Sequence, residues 1–466
     1  MTNTDTILTS RMRFKNTAHA PRGEDRKGSL ARLILVSGVS SLVLLGIILY
    51  SLPRTMLSVG GLYEYASIMA LAIFLSILIL RYYTVLGSAF VFVARNTVDE
   101  QNTFAPFVSI IIPAYNEAKI LHLSIESLLA LDYDGFEVII VNDGSTDATA
   151  AVAQTLVGHH PGKHGPVRVS LINKPNGGKS SALNAGIQYS TAEFVLCMDG
   201  DSHLSPETLR LAVRHFRDPR VGAVAGNVKV LNRRKTLTTL QALEYVEGLN
   251  MIRSAQSALG MVNIIPGPIG VFRKNAVHAA GWYSGDTFAE DADLTLNLRF
   301  AGWKIVYEPG AISYTEAPES LHQLLKQRYR WTRGILQSIR KHRLNLFNPE
   351  ATFTDTLVLW SLFYEAIVWP TMNIFANAFF IIVALAFGLS NTLALWWAGI
   401  ALLDVMTALY CVAVDREEIR LVWYAIAYRM VFVLLVDITK AAATVEEFLG
   451  VEMTWGKLDR IGLETH

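Results

Sequence analysis

Hydrophobic positions fall into three regimes along the chain. Two nearly unbroken apolar stretches open it, at 33–52 and from 66 to 80 with an extension to 93, and a third regime starts at Thr356 and runs in pieces to 444. Between them, from 95 to 346, short apolar runs alternate with amphipathic stretches, as in a soluble α/β domain. The strand-like runs are 107–112, 137–141, 167–172 and 193–198, and the helix-like stretches between them are 118–130, 147–157 and 178–189. This alternation predicts parallel strands joined by crossover helices. Ser205-Pro206-Glu207 predicts a helix start, with Ser capping and Pro at the first helical position. Further helices are predicted through 290–298 and from near Pro318.

The outer stretches are long enough to cross a bilayer. The first ends at Pro53, and it is too long and too late for a signal-peptide core. Arg11, Arg13, Lys15, Arg22, Arg26 and Lys27 precede it and argue for a cytoplasmic N-terminus. Two spans then return the chain to the cytoplasm before Phe107. Residues 357–389 are too long for one span and short for two, and Glu365 and Pro370 interrupt them, so their first part is expected along the membrane surface. Residues 392–414 read as a clear span, 415–420 as a charged loop, and 421–444 as a span compromised by Arg429, Asp437 and Lys440. Two or four spans here leave the C-terminus cytoplasmic and three leave it outside; the pattern leaves the number open. The chain thus divides into a polar tail (1–30), two transmembrane helices (31–94), the soluble domain (95–346), interfacial and transmembrane helices (347–450) and a C-terminal tail (451–466).

Composition adds little beyond this. Of 466 residues 52% are hydrophobic, the excess gathers at the ends, and a net charge of +1 gives no bulk electrostatic case for nucleic acid. Cys197 and Cys411 both sit in apolar runs, without metal-ligand spacing or a disulfide framework, and read as packing residues.

The chemistry concentrates at strand ends. Asp199-Gly200-Asp201 follows the run 193–198 and delivers two carboxylates to the edge where open α/β sheets bind ligands. Such a pair suits Mg2+ or Mn2+ holding a diphosphate, although alone it is also an ordinary polar turn. Pro113-Ala114-Tyr115-Asn116-Glu117 and Asn142-Asp143-Gly144-Ser145-Thr146-Asp147 end two other strands with groups that fit a nucleoside, while turn chemistry accounts for Thr146 and Asp147. Asn176-Gly177-Gly178-Lys179 offers a glycine-rich anion cradle without P-loop spacing. In Gln327-Arg328-Tyr329-Arg330-Trp331, the Gln, second Arg and Trp share one helix face, a surface for phosphate and sugar. An amphipathic helix with snorkelling arginines explains Arg328, Arg333 and Arg340 equally well, but not Gln327 together with Trp331.

In this order, the motifs resemble the membrane-bound family 2 glycosyltransferases, the synthases of hyaluronan, chitin, cellulose and poly-β-1,6-N-acetylglucosamine. The resemblance covers roughly 107–331 and the flanking membrane helices. It implies an α/β GT-A type, Rossmann-like cytoplasmic domain inserted between N- and C-terminal transmembrane helices of a multi-pass plasma (inner) membrane protein. It assigns Pro113, Tyr115, Glu117, Asp143, Lys179 and Asp199 to a UDP-sugar, and Asp199 with Asp201 to Mg2+ or Mn2+. Phe288-Ala289-Glu290-Asp291 matches the family's acid triplet, with Ala289 where many members have Thr. Asp291, beside Glu290, becomes the general base that an inverting displacement needs. Gly267 and Pro268, with Gln327, Arg328, Arg330 and Trp331, are assigned to acceptor and diphosphate.

The implied activity is processive, inverting polymerisation of a UDP-GlcNAc or UDP-glucose type donor into a β-linked polysaccharide that crosses the membrane. The alternative is transfer of a single sugar to a lipid carrier, and a more distant rival is a nucleotide-sensing transporter or receptor. Expected partners are the UDP-sugar, the growing polysaccharide and membrane lipid, with no nucleic acid; an accessory membrane subunit is left open. Asp404, Arg429, Asp437 and Lys440 lie within apolar segments, where each charge costs about 2.5–3.5 kcal/mol at the bilayer centre. They are expected to face the helix bundle or a wet lane for the polymer, and Asp437 and Lys440 are spaced to pair. Thr454-Trp455-Gly456-Lys457 resembles a C-terminal motif of hyaluronan synthases, which if it acts alike requires a cytoplasmic tail.

Overall fold

The computed structural model describes residues 62–95, 104–347, 352–387 and 391–452, with single positions 39, 42, 43, 46 and 50. The basic tail, most of the first expected span and the 454–457 motif lie outside the described residues.

Nine strands form one mixed sheet: β1 (Val108–Ala114), β2 (Phe136–Asp143), β3 (Gly158–Pro161), β4 (Pro166–Lys174), β5 (Phe194–Cys197), β6 (His203–Leu204), β7 (Val221–Val230), β8 (Gly270–Arg273) and β9 (Lys304–Thr315). Their order is β3-β4-β2-β1-β5-β8-β7-β9-β6. The block β4-β2-β1-β5 is parallel, as the alternation predicts. Every residue of β1 and β2 is buried, because layers cover both faces of the sheet; the strands are mostly apolar, and the buried Ser109 hydroxyl donates to Glu137 at 2.8 Å. Beyond β5, where the alternation makes no prediction, the sheet is mixed. β8 runs antiparallel to both β5 and β7, β7 and β9 are parallel, and β6 closes the edge antiparallel to β9.

The helices α1 (Leu62–Arg95), α2 (Leu121–Leu129), α3 (Thr149–Thr155), α4 (Gly178–Tyr189), α5 (Thr208–Val213), α6 (Thr236–Glu244), α7 (Met251–Ala258), α8 (Lys274–Ala279), α9 (Glu290–Phe300) and α10 (Leu321–Lys341) complete the first two regimes. α4 has the bounds the sequence predicts. α5 starts later than expected: Glu207 is its N-cap, and no side chain caps it. The reason is local, since the Ser205 N–H (3.0 Å) and the Thr208 hydroxyl (2.7 Å) both donate to the Ile312 carbonyl, which ties the segment to β9 before it can coil. α10 begins just past Pro318 and has a Ser cap, with Ser320 accepting from the Gln323 N–H at 3.3 Å. Both cysteines are buried and unbridged.

The C-terminal region holds α11 (Phe353–Phe363), α12 (Trp369–Phe387), α13 (Asn391–Val414) and a helical run, α14 (Ile419–Phe448). Among the described residues four segments are long and apolar enough to cross a membrane: Ala72–Arg95, Phe353–Ile382, Trp396–Val414 and Ile419–Phe448. Length and composition are not the whole account. α11 packs Val358, Leu359 and Leu362 against Leu296 of α9 and Ile339 of α10. α14 touches the soluble domain along its whole course. Just before it, Glu417 pairs with Lys229 of β7 at 3.0 Å and with Arg233. Midway, Phe432 and Val436 pack on Leu324 of α10. At its end Glu447 pairs with Arg333 at 2.7 Å and Arg340 at 2.8 Å.

Candidate active site

The carboxyl ends of β1 and β2 are tied into one rim. Asn116 adopts φ 54°, a left-handed conformation that Asn tolerates, and its side-chain oxygen accepts from the Thr146 N–H at 2.8 Å and the Asp147 N–H at 3.3 Å. Pro113 ends β1 within this rim, and Tyr115 beside it is 38% exposed. The buried Asp143 carboxylate accepts from Lys174 Nζ at 2.5 Å and from the N–H groups of Gly177 (3.0 Å) and Gly178 (2.8 Å). Asp143 therefore holds the glycine-rich turn that launches α4 and carries Lys179. Lys174 has no motif signal, and only the fold shows its part; Asn116 lies in the 113–117 motif, but its bonds to Thr146 and Asp147 are visible only in the fold.

Glu117 meets the end of β5. A Cβ built on Gly200 would lie 1.8 Å from its Oε2, so only glycine fits between the two aspartates. Lys179 Nζ bridges Asp199 (2.6 Å) and Glu290 (2.9 Å). Burial alone would push this ammonium down, but Asp199, Glu290 and Asp291 outweigh it and hold the lysine above its ordinary range. Gly267 closes the pocket: a Cβ there would stand 2.9 Å from Lys179 Nζ and 3.3 Å from Asp199 Oδ2. Pro268 follows it, its carbonyl accepting from the Ser313 hydroxyl at 3.0 Å. The Asp291 carboxyl is pushed up to about 6, by burial first and then by Glu290, against the pull of Lys179 and of the Ala292 N–H at 2.8 Å. A carboxylate poised near neutrality suits a general base.

Asp201 is 3% exposed and takes a 3.4 Å contact from the Thr315 hydroxyl. Among the described residues no group of three or more His, Cys, Asp or Glu side chains could enclose a metal. Two carboxylates with the rest of the sphere left to phosphate and water fit a hard, octahedral Mg2+ or Mn2+, and do not fit a closed zinc-type site.

α10 docks on the acid loop. A Cβ on Gly334 would lie 2.5 Å from the Ala289 N and 2.6 Å from its Cβ, so two small residues let the backbones meet. Gln327, Arg330 and Trp331 are half-buried along one side of the helix. Arg328 is 2% exposed and is turned to Glu244 at the end of α6, with Nη2–Oε2 2.5 Å and Nε–Oε1 3.1 Å. Its guanidinium is thus committed inside the protein, and it reaches the site through its neighbours rather than directly.

A cavity of about 190 Å³ lies where the segment 244–252 meets the apolar helices, and Lys179, Asp199, Glu290 and Asp291 do not line it. Glu244 and Glu247 line it from the domain, and Arg81, Glu365, Asp404, Arg429, Asp437 and Lys440 from the apolar helices. The charges on the apolar helices are paired: Arg81 with Glu365 at 3.0 Å, Arg429 with Asp404 at 3.5 Å, and Lys440 with Asp437 at 3.9 Å. Asp404 also accepts from the Tyr82 hydroxyl at 2.7 Å, and Asp437 from Asn373 at 2.6 Å.

Residues 105–334 match the family model described as glycosyltransferase like family 2. A poly-β-1,6-N-acetyl-D-glucosamine synthase of Staphylococcus epidermidis is 32% identical over 282 residues, 59% of this chain and 66% of that protein. The synthase of the same name from Staphylococcus aureus strain COL is 33% identical over 228 residues, 49% of this chain and 54% of the relative. The chain therefore spans just under two thirds of the first relative and about half of the second. Among solved structures, a mannosyltransferase from Pyrobaculum calidifontis in complex with GDP-Man and Mn2+ superposes with a TM-score of 0.59 at 23% identity, covering 83% of this chain and 99% of that one. At that identity the likeness shows the fold, which is GT-A.

Proposed function

Residues 105–334 are a glycosyltransferase family 2 domain of GT-A fold, and on that premise we propose that the chain is a membrane-embedded, inverting polysaccharide synthase. Its donor is a UDP-sugar, UDP-GlcNAc before UDP-glucose, since the curated relatives are named as makers of a β-1,6-linked N-acetylglucosamine polymer. The observation that carries this reading is the convergence of Lys179, Asp199, Glu290 and Asp291, which come from three separate segments of the chain.

In the proposed reaction, Asp291 takes the proton of the acceptor hydroxyl as its oxygen bonds to the anomeric carbon. The bond from that carbon to UDP breaks, and its electron pair leaves on the phosphate oxygen. Lys179 faces the negative charge that develops there. Mg2+ or Mn2+, held by Asp199 and Asp201, would supply further neutralisation of the diphosphate. Asp143, Tyr115, Glu117 and Pro113 form the rim that receives the nucleoside. Gln327, Arg330, Trp331, Gly267 and Pro268 border the acceptor side, with the indole offering a flat face to a sugar ring.

The same reading places α14 in the plane of the membrane. A helix that crossed the roughly 30 Å hydrocarbon core would carry its two ends to opposite sides, yet both ends of α14 pair with the same soluble domain. Its outward residues, among them Trp423, Met430, Val431, Ile438 and Phe448, are apolar and suit the lipid boundary. α12 and α13 then make two C-terminal crossings, and the chain at 449–452 lies on the side of the catalytic domain, which we assign to the cytoplasm of a plasma membrane protein. The charged cavity beside Glu244 becomes the entrance of the polymer's route outward.

Purified protein incubated with a panel of UDP-sugars tests the function. Release of UDP with a ladder of products supports a processive synthase, a single lipid-linked product supports the one-sugar alternative, and UDP binding without release refutes an enzyme.

A further inference from the structure

We propose that Glu244 is a positioning residue of the acceptor grip, acting through Arg328 on Gln327 and Trp331. The inference rests on the polysaccharide-synthase reading above. Glu244 is the last residue of α6, and its partner lies 84 positions away on α10. The contact is a two-pronged carboxylate–guanidinium pair, the geometry that fixes orientation as well as charge. Arg328 is 2% exposed, so water does not compensate it, and among the described residues Glu244 is the acidic side chain it pairs with.

Arg328 also faces the Tyr245 hydroxyl and makes two contacts on its own helix. Nη1 donates to Gln327 Oε1 at 2.5 Å. Arginine has donors only, so this contact fixes Gln327 Oε1 as the end of the amide turned to Arg328 and its nitrogen as the other end. The guanidinium carbon also stands 4.2 Å from the centre of the Trp331 ring, covering one face of the indole. One carboxylate, through one arginine, therefore sets the amide of Gln327 and the ring of Trp331. Glu244 also lines the cavity against the apolar helices, so the pair and the proposed entrance share this residue.

The experiment compares wild type, E244D, E244Q and the double variant E244Q/R328M in detergent, with UDP-GlcNAc as donor and N-acetylglucosamine oligomers as acceptor. Melting temperature, KM for each substrate, kcat and product length are read together. E244Q is expected to raise the acceptor KM roughly tenfold and to shorten the product, with the donor KM within about twofold of wild type. E244D should recover part of the acceptor affinity. The double variant removes the buried unpaired cation, so it should recover the melting temperature without recovering acceptor KM or product length. Acceptor KM and product length at wild-type values in E244Q would overturn the inference. So would their recovery together with the melting temperature in the double variant, since the role would then be stability alone. A wild type that transfers no sugar from any UDP donor would instead remove the reading on which the inference stands.

Discussion

Asp291 sets charge against stability. Its folded-state carboxyl titrates at about 6, above its ordinary value of 3.8, so the folded protein binds that proton more tightly than the unfolded chain. Stability from this group is present at low pH and is lost as pH rises through about 6. D291N should therefore melt at a higher temperature than wild type above about pH 6, and the difference should vanish below about pH 4. The same variant should be inactive, and wild-type kcat should climb with pH through about 6 and then level, because only the carboxylate accepts a proton. Calorimetry and a pH–rate profile check both halves. Gly267 gives a second case. In G267A the new methyl would crowd Lys179 Nζ, the far end of a flexible side chain, so stability should stay within about 0.5 kcal/mol while activity falls at least about tenfold. Asp199, Asp201 and Asp291 were legible in the sequence because short motifs carry them. Glu244 was not, because an acid at the end of an ordinary helix gains meaning only from an arginine 84 residues away.

Elements were legible where local physics decides them. β1 and β2 carry apolar cores at 110–112 and 138–141, β5 is apolar throughout, and α4 begins at a glycine pair, so a reading of the chain finds them. β7 escapes it because Asn227 and Lys229 interrupt its apolar pattern, yet all ten of its residues are buried. Their burial is compensated from far along the chain: the Asn227 side chain donates to Asp415 Oδ1 at 2.7 Å, and Lys229 Nζ donates to the Asp415 carbonyl at 2.8 Å. α10 was found as a helix, but its seat was not, since Gly334 shows its purpose only against Ala289. G334A puts a methyl against backbone, which cannot swing aside. It should cost about 1–3 kcal/mol and displace the acid loop, so both denaturant midpoint and kcat should fall. An unchanged kcat would separate the helix seat from the catalytic base.

On the scale of the whole molecule, the apolar helices and the soluble domain form one packed body rather than a domain on a tether, with Ala89 of α1 in the main core beside Val224 and Tyr410. Composition alone marks α14 as a span, whereas the ion pairs at Glu417 and Glu447 and the packing of Phe432 and Val436 on Leu324 speak for an in-plane helix. Single cysteines at Glu418 and Glu452 should react with a membrane-impermeant maleimide from the same side as one at the exposed Lys119; labelling from opposite sides would restore α14 as a crossing. The native Cys197 and Cys411 are buried and should add little background. In the cavity, D404L strips the partner from Arg429 and should reduce polymer export more than UDP release during short incubations; unchanged export would remove Asp404 from the route.

The central claim is that a UDP-sugar reacts at the carboxylates gathered around Lys179. Its most direct measurement is UDP release and product sizing with purified protein and UDP-GlcNAc, in wild type and D291N side by side. The account predicts release coupled to a polymer ladder in wild type, with neither in a folded D291N. Release that persists in D291N, or a wild type that binds UDP-sugars and turns none over, would contradict it.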